Sequence, residues 1–533
     1  MAITLEPMPI ASTAPRAPRA PRDVVVVLLD SLNRHMIGAY GGEEFETPNL
    51  DRLAKRSVRF TNHHSGSLPC MPARHDLLVG ALDFPWRPWG SIEVWEDALT
   101  RQLRRDAGIS TMLVSDHPHL FEAGGENHHH DFGAWDYLRG GEDDPWRTRA
   151  DTSQIGAPTL PPFRDSGWRN YDLSRTFFRE EADFPGPRTM TAAAKWLDQE
   201  LGAQRRPEER AFLFVDEFDP HEPFDAPEKW ASLYDDDWEG ERIIWPPYTS
   251  GIKRDDAFES PELSAREARH LRSQYGAKLS MIDHWLGLMI DTVERHDAWD
   301  TTAFILCTDH GIYLGERGMW GKPAVSVFPE LGHIPLMISW PGVEAGTCDA
   351  LTTTVDIHAT ICDVFGVEPK HATHGYSLVP LIEGRSTSIR EWALSGVWGR
   401  EVHIANATST FGKAPVAANR PLSMYSNRWS TMPVRIAPNL HRIKPDMRAT
   451  LVKAVGSDVP VIRQPFDPSD ALPFWARGEF RGDLLYNRFE PEADGGVRHI
   501  SGDAETREMT ELLVEALRAI DAPDEQLARL GLA

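Results

Sequence analysis

The chain has 533 residues, 41% of them apolar, and a formal net charge of −24. That length holds one large domain with a smaller one appended and excludes a small binding module. The charge repels polyanions, so nucleic acid is excluded as the main partner and a small anionic ligand needs a local positive focus.

Residues 1–22 are rich in Pro, Ala and Arg without an apolar h-region, and read as a flexible tail and not as a signal peptide. Val24–Leu29 is the longest apolar run, strand-sized and too short to span a membrane. It ends at Asp30–Ser31. A cysteine follows in the run Ser67-Leu68-Pro69-Cys70-Met71-Pro72-Ala73-Arg74, with Pro two places after it, Arg four, and a helix-like His75–Gly80 behind. Ser91–Arg105 sets Ile92, Trp95, Leu99 and Leu103 at helical spacing behind a capping Ser, which predicts a helix. Thr111–Val114 reads as a second strand, followed by Asp116, His117 and His119. His128-His129-His130 reads as a solvated or packing stretch. Ala211–Val215 is a third strand, followed by Asp216 through His221. A long helical pattern covers Arg266–Glu294. Ala303–Cys307 is a fourth strand, ending in Thr308-Asp309-His310-Gly311, and Lys322 lies twelve residues after His310. Pro335–Ser339 is a fifth.

Strands alternating with helices predict an α/β fold with a mainly parallel central sheet flanked by helices. Polar residues after four separate strands then meet at one crevice, because ligands in such sheets bind beyond the carboxyl ends. Asp30, Asp309 and His310 supply two carboxylates and an imidazole suited to a divalent cation; an isolated Asp after a strand is equally a helix cap. After residue 385 the chain becomes mixed. Short strand-like pieces at Glu401–Ile404 and Leu451–Val455 precede a closing helix in which Met509, Leu513, Leu517 and Ile520 share a face. The predicted organisation is a tail (1–22), a catalytic α/β domain (23–385) and a smaller C-terminal α+β subdomain (386–533). Four cysteines without disulfide-like spacing or a C-x-x-C pair fit a reducing cytoplasm.

The C-x-P-x-R pattern at Cys70 resembles the signature of type I sulfatases, in which that Cys is oxidised to formylglycine, the family's nucleophile. Thr308-Asp309-His310-Gly311 resembles the T-D-H-G metal motif of the alkaline phosphatase superfamily, to which sulfatases and phosphonate monoester hydrolases belong. Thr47–Ala54 is similar to the T-P-N-L-D-x-L-A helix, Pro220-His221-Glu222-Pro223 to the P-H-x-P segment bearing an active-site His, and His374–Leu381 to the G-x-S-L-x-P-L run. The Lys322 spacing resembles the phosphonate monoester hydrolase branch. Together these motifs span roughly residues 23 to 530, in family order.

The resemblance implies catalytic roles for Cys70, Arg74, His221 and Lys322, and a metal set of Asp30, Asp309, His310 and residue 70. The implied cofactors are one divalent ion, Ca2+ or Mn2+ with Zn2+ also compatible, and the formylglycine. The hydrated aldehyde would attack with help from Asp309, Arg74 would hold the diol and an anionic oxygen, and Lys322 and His221 would neutralise the non-bridging oxygens, a protonated His donating to the leaving group. Two departures stand out. Asp30–Ser31 replaces two consecutive acids, and Ser115-Asp116-His117-Pro118-His119 replaces G-K-W-H, so His117 and His119 are substrate-binding candidates or loop histidines that pack. The implied activity is sulfate monoester hydrolysis, with phosphonate monoester or phosphodiester hydrolysis as the alternative. A non-catalytic anion-binding protein and a hydrolase using the Cys70 thiol are the readings from other classes. Expected partners are a small anionic ester and a formylglycine-generating maturation enzyme, with no nucleic acid and no membrane; a homo-oligomer is compatible with the sequence. Trp86, Trp89 and Trp146 suggest an aromatic-walled pocket or packing, and Asn419–Pro433, with Arg428, is a candidate to reach the site.

Overall fold

The computed structural model describes residues 18–533 except 94, 155–168, 249–251, 255–256, 260–262, 324–325, 428–449, 455–456, 468–469, 471, 477–479, 481, 492–496 and 500–501. All five expected strands form, as Asp23–Leu29, Ser110–Ser115, Ala211–Glu217, Thr302–Cys307 and Leu336–Ser339. They join Ala134–Tyr137, Val58–Phe60 and Gly346–Cys348 in one eight-stranded sheet. Asp23–Leu29 lies inside it, parallel to Thr302–Cys307 on one side and to Ala211–Glu217 on the other. Leu336–Ser339 runs antiparallel, so the sheet is mixed at that edge.

Side-chain alternation explains why these strands read as continuous apolar runs. Val24, Val26 and Leu28 point to one face, with Phe212, Phe214, Ile305 and Cys307. Val25, Val27 and Leu29 point to the other, with Leu213, Val215, Phe304 and Leu306. Helices cover both faces: Cys70–Val79 and Thr354–Phe365 the first, Pro185–Gly202 and Ala265–Arg295 the second. Each fully buried Val or Leu contributes about 1.5–3 kcal/mol, so both faces are secured by burial and not by propensity. The long helix starts at a capping box formed by Ser264 and Glu267. Gly276 gives it room for Phe45, whose ring carbons lie 2.2 Å from where a Cβ would stand.

One expected helix differs. Within Ser91–Arg105 the regular turns begin only at Leu99, continuing as a π-turn over Gln102–Asp106. The apolar residues are buried as the spacing predicted for Ile92, Leu99 and Leu103. Buried charge shapes the start of this segment: Glu96 accepts from Arg87 and from the Glu93 backbone N–H.

The C-terminal region forms a six-stranded sheet in the order Val497–His499, Leu484–Pro491, Ser409–Lys413, Val402–Ala405, Ala393–Val397, Ser67–Leu68. Its last strand comes from the residues just before Cys70, so this sheet holds the cysteine loop. The helix Asp503–Ala519 buries Met509, Leu513 and Leu517, with Ile520 beyond its end, against Leu394, Val402, Ile404 and Phe411. Thr450–Lys453 belongs to a separate three-stranded sheet with Leu422–Ser426 and Pro460–Phe466. Of the tail, residues 1–17 lie outside the described residues, while Arg19 and Arg22 donate backbone hydrogen bonds to Pro341 and Thr301. Arg428 also lies outside them. Among the described residues no helix is long and apolar enough to cross a membrane.

Candidate active site

The register brings the carboxyl ends of three strands level: Leu28 pairs with Cys307 on one side and Asp216 on the other. Asp30 and Asp309 leave these ends two residues later, as expected for a crevice where strand order reverses. Cys70 enters from above as the first residue of Cys70–Val79, behind Pro69 in a non-helical conformation. Every residue of this helix is buried. Asp76 ties its start to the sheet, accepting from the Ser67 backbone N–H at 2.6 Å and hydroxyl at 2.8 Å. Gly66 is needed there, since a Cβ would stand 2.3 Å from Asp76 Oδ2. Burial lifts the Asp76 carboxyl to about 7.

Asp30, Cys70, Asp309 and His310 each place one donor atom within 4.8 Å of the others, all buried. Cys70 Sγ is 3.3 Å from His310 Nε2. His310 Nδ1 donates to the Gly311 carbonyl at 2.9 Å, which leaves the Nε2 lone pair facing the cluster, the tautomer a metal ligand requires. Burial lowers His310 to about 4 and so keeps the ring neutral. Burial and the neighbouring Asp309 charge raise Asp30 well above the usual carboxylate range. Burial, then Asp30 and Asp309, also push the Cys70 thiol well up.

Arg74 lies one turn below Cys70 and spends all five N–H groups. Nε and Nη2 hold Asp216 at 2.8 and 2.6 Å; Nη2 also reaches Asp30 at 2.9 Å. Nη1 reaches Asp309 at 2.7 Å and the Cys70 carbonyl at 3.1 Å. The guanidinium therefore positions the carboxylates and residue 70, and in this arrangement has no free donor for a substrate oxygen. Three buried carboxylates share this one cation. A divalent ion would supply the missing positive charge, so the donor set fits one. Asp216 is the member that motif reading missed. Its only sequence signal is its place after the third strand.

His221 and Lys322 flank the cluster. His221 stacks on Phe218, ring centroids 4.0 Å apart, and its Nδ1 donates to the Glu222 carbonyl at 2.7 Å. Burial and Lys322 lower it well below the ordinary imidazole range. Lys322 Nζ lies 3.2 Å from both Glu222 oxygens and 3.3 Å from Ser31 Oγ, and Ser31 Oγ donates to Asp30 at 2.7 Å. Ser31 thus links Lys322 to the metal-ligand candidates, with φ at +59°.

The two loop histidines behave differently. His117 is fully buried with Nε2 3.6 Å from Asp30 Oδ2, and neither ring nitrogen has a hydrogen-bond partner among the described residues. His119 is engaged at both nitrogens, by Glu122 at 2.6 Å and Glu142 at 3.0 Å. Burial would lower it, but Glu142 and Glu122 outweigh that and hold it at about 10. His117, His119 and His221 all border Phe218. His128 and His129 are buried and His130 is exposed, outside the metal group. Trp89 stacks on Trp475 and meets His119 edge-on, whereas Trp86 lines a cavity of about 430 Å³ at the far end of the Cys70 helix. Trp146 packs on Phe177.

A sequence-family model described as Sulfatase matches residues 22–367. The choline-sulfatase of Rhizobium meliloti (strain 1021) is 29% identical over 389 residues, covering 68% of this chain and 72% of that protein. The multifunctional alkaline phosphatase superfamily protein PehA of Trinickia caryophylli is 26% identical over 433 residues, 69% of this chain and 79% of that one. Among solved structures, the phosphonate monoester hydrolase SpPMH from Silicibacter pomeroyi shares the fold with a TM-score of 0.58 at 19% identity, covering 95% of this chain and 96% of its own.

Proposed function

Because the chain belongs to the Sulfatase family, we propose that this sulfuric ester hydrolase cleaves sulfate monoesters with a formylglycine made from Cys70 beside one divalent cation. The observation that carries the reading is the placement of Cys70: first in a buried helix, with Sγ inside the Asp30–Asp309–His310 cluster. A cation held by these residues supplies Lewis acidity and offsets the carboxylate charge. A formylglycine at residue 70 would be held by this cluster, and as its hydrate would supply a nucleophilic hydroxyl and a second hydroxyl able to release the product.

The chain's own residues do the rest. Arg74 fixes the Cys70 backbone and the carboxylates against one another. Lys322 Nζ directs its three N–H groups at the two Glu222 oxygens and Ser31 Oγ, and turns one of them to a non-bridging oxygen when the ester binds. His221 keeps Nδ1 on the Glu222 carbonyl, so Nε2 is the atom that carries a proton to the leaving oxygen. Burial, then the Lys322 ammonium, depresses His221; an anionic ester beside Lys322 offsets the second of these and so favours that protonation.

Maturation by a formylglycine-generating enzyme is part of the proposal. Mass spectrometry of the peptide containing residue 70, from protein made with and without that enzyme, is expected to show the aldehyde in active protein only. A fully active sample with an intact thiol overturns the mechanism. The Asp309–His310 pair beside Lys322 favours a second reading, phosphonate monoester or phosphodiester hydrolysis. Kinetics with one leaving group on sulfate, phosphate diester and phosphonate separates the two, and a strong preference for phosphorus overturns the first.

A further inference from the structure

Pro220-His221-Glu222-Pro223 delivers two polar side chains to the site, and the reaction outlined above uses one. Glu222 is 1% exposed, and both its oxygens lie 3.2 Å from Lys322 Nζ. Its Oε1 also accepts a hydrogen bond from the Tyr248 hydroxyl. Tyr248 is seated by Gly321, the neighbour of Lys322: a Cβ there would stand 2.9 Å from the ring, and its φ is +73°. Glu222 is therefore built into the anion-binding edge of the site.

Its charge matters there. Asp30, Asp216, Asp309 and Glu222 are buried around two cationic side chains, Arg74 and Lys322. A divalent cation brings that set to neutrality, whereas the same site without Glu222 carries a surplus positive charge. In a buried site an added unit of negative charge on the ligand feels such a difference strongly.

We propose that Glu222, anchored by Tyr248, is a specificity-determining residue: it offsets Lys322 so that the site accepts esters whose tetrahedral centre carries one negative charge and disfavours those carrying two. This rests on the hydrolase reading above but not on the choice between sulfur and phosphorus. Glu222 sets the charge, and Lys322 contacts the ester.

The test compares matured wild type, E222Q and E222D on p-nitrophenyl sulfate, p-nitrophenyl methylphosphonate and p-nitrophenyl phosphate at pH 8, where only the last is a dianion. Wild type is expected to have higher kcat/KM for the two monoanions. E222Q raises the dianion-to-monoanion ratio on the order of tenfold to a hundredfold, while E222D, which keeps the charge, retains the wild-type ratio. A purely structural role lowers all three substrates together and leaves the ratio unmoved. An unchanged ratio in folded E222Q, or a wild type that prefers the dianion, overturns the proposal; the second result needs no variant. A wild type that turns over the phosphonate but not the sulfate ester sinks the sulfatase reading and leaves Glu222 in its role. Turnover of none of the three overturns both.

Discussion

Replacing Arg74 with lysine keeps the charge and removes the fork. The guanidinium makes five contacts from three nitrogens: two to Asp216, one each to Asp30 and Asp309, and one to the Cys70 carbonyl. An ammonium has three N–H groups, so at least two bonds are lost, each charge-assisted and worth about 1.5–3 kcal/mol. The expected cost is about 3–6 kcal/mol, a large share of the roughly 5–15 kcal/mol that holds a typical fold. With an unfolding entropy of about 2 cal/mol/K per residue, a chain of this length shifts by roughly 1 °C per kcal/mol, so the melting temperature is expected to fall by roughly 3–6 °C. Residue 70 and Asp309 lose their common anchor, so kcat falls as well. Calorimetry and steady-state kinetics on matured R74K protein provide the check. A melting temperature within about 1 °C of wild type, together with unchanged kcat, refutes the account of Arg74 as the organiser of the cluster.

Dialysis against a chelator is expected to abolish turnover and lower the melting temperature, because Asp30, Asp216 and Asp309 then share only Arg74; refilling with Ca2+, Mn2+ or Zn2+ in parallel ranks the ions. No change in either readout counts against the metal site. His119 is raised to about 10 by Glu142 and Glu122. A raised histidine stabilises fully below its unfolded pKa and loses that contribution as pH climbs through the folded value. The stability gap between wild type and H119Q is therefore expected to be on the order of 2–4 kcal/mol at pH 6, to shrink steadily between about pH 7 and about pH 10, and to be nearly gone above that; a gap that widens instead contradicts the assignment. G276A drives a methyl group into the Phe45 ring and is expected to cost about 1–3 kcal/mol, read as a lower melting temperature with kcat unaltered.

Much of the site was legible because its residues sit at landmarks that chemistry imposes locally. Asp30, Asp309 and His310 follow apolar runs that had to be strands, and Cys70 and Arg74 are four apart on a helix, so they share a face. Asp216 was not singled out, because a lone carboxylate after a strand is also a cap; only the pairing of Leu28 with Asp216 sets it opposite Arg74. Ser91–Arg105 carries helical spacing, yet buried Arg87, Glu93 and Glu96 draw the early backbone into other hydrogen bonds.

His117 and His119 show where local reading stops. Two residues apart in one loop, they are indistinguishable as letters; the fold turns one toward Asp30 with unpartnered nitrogens and holds the other between two glutamates. The sequence by itself determined the strands, the long helix, the family motifs and the types of ligand, since apolar period and residue chemistry are local properties. The tertiary structure alone decided that Arg74 is consumed by three carboxylates, that Asp216 and Ser31 belong to the site, and that Glu222 offsets Lys322. Those are contacts across more than a hundred residues in most cases, fixed by strand register and by which groups burial leaves no water to satisfy.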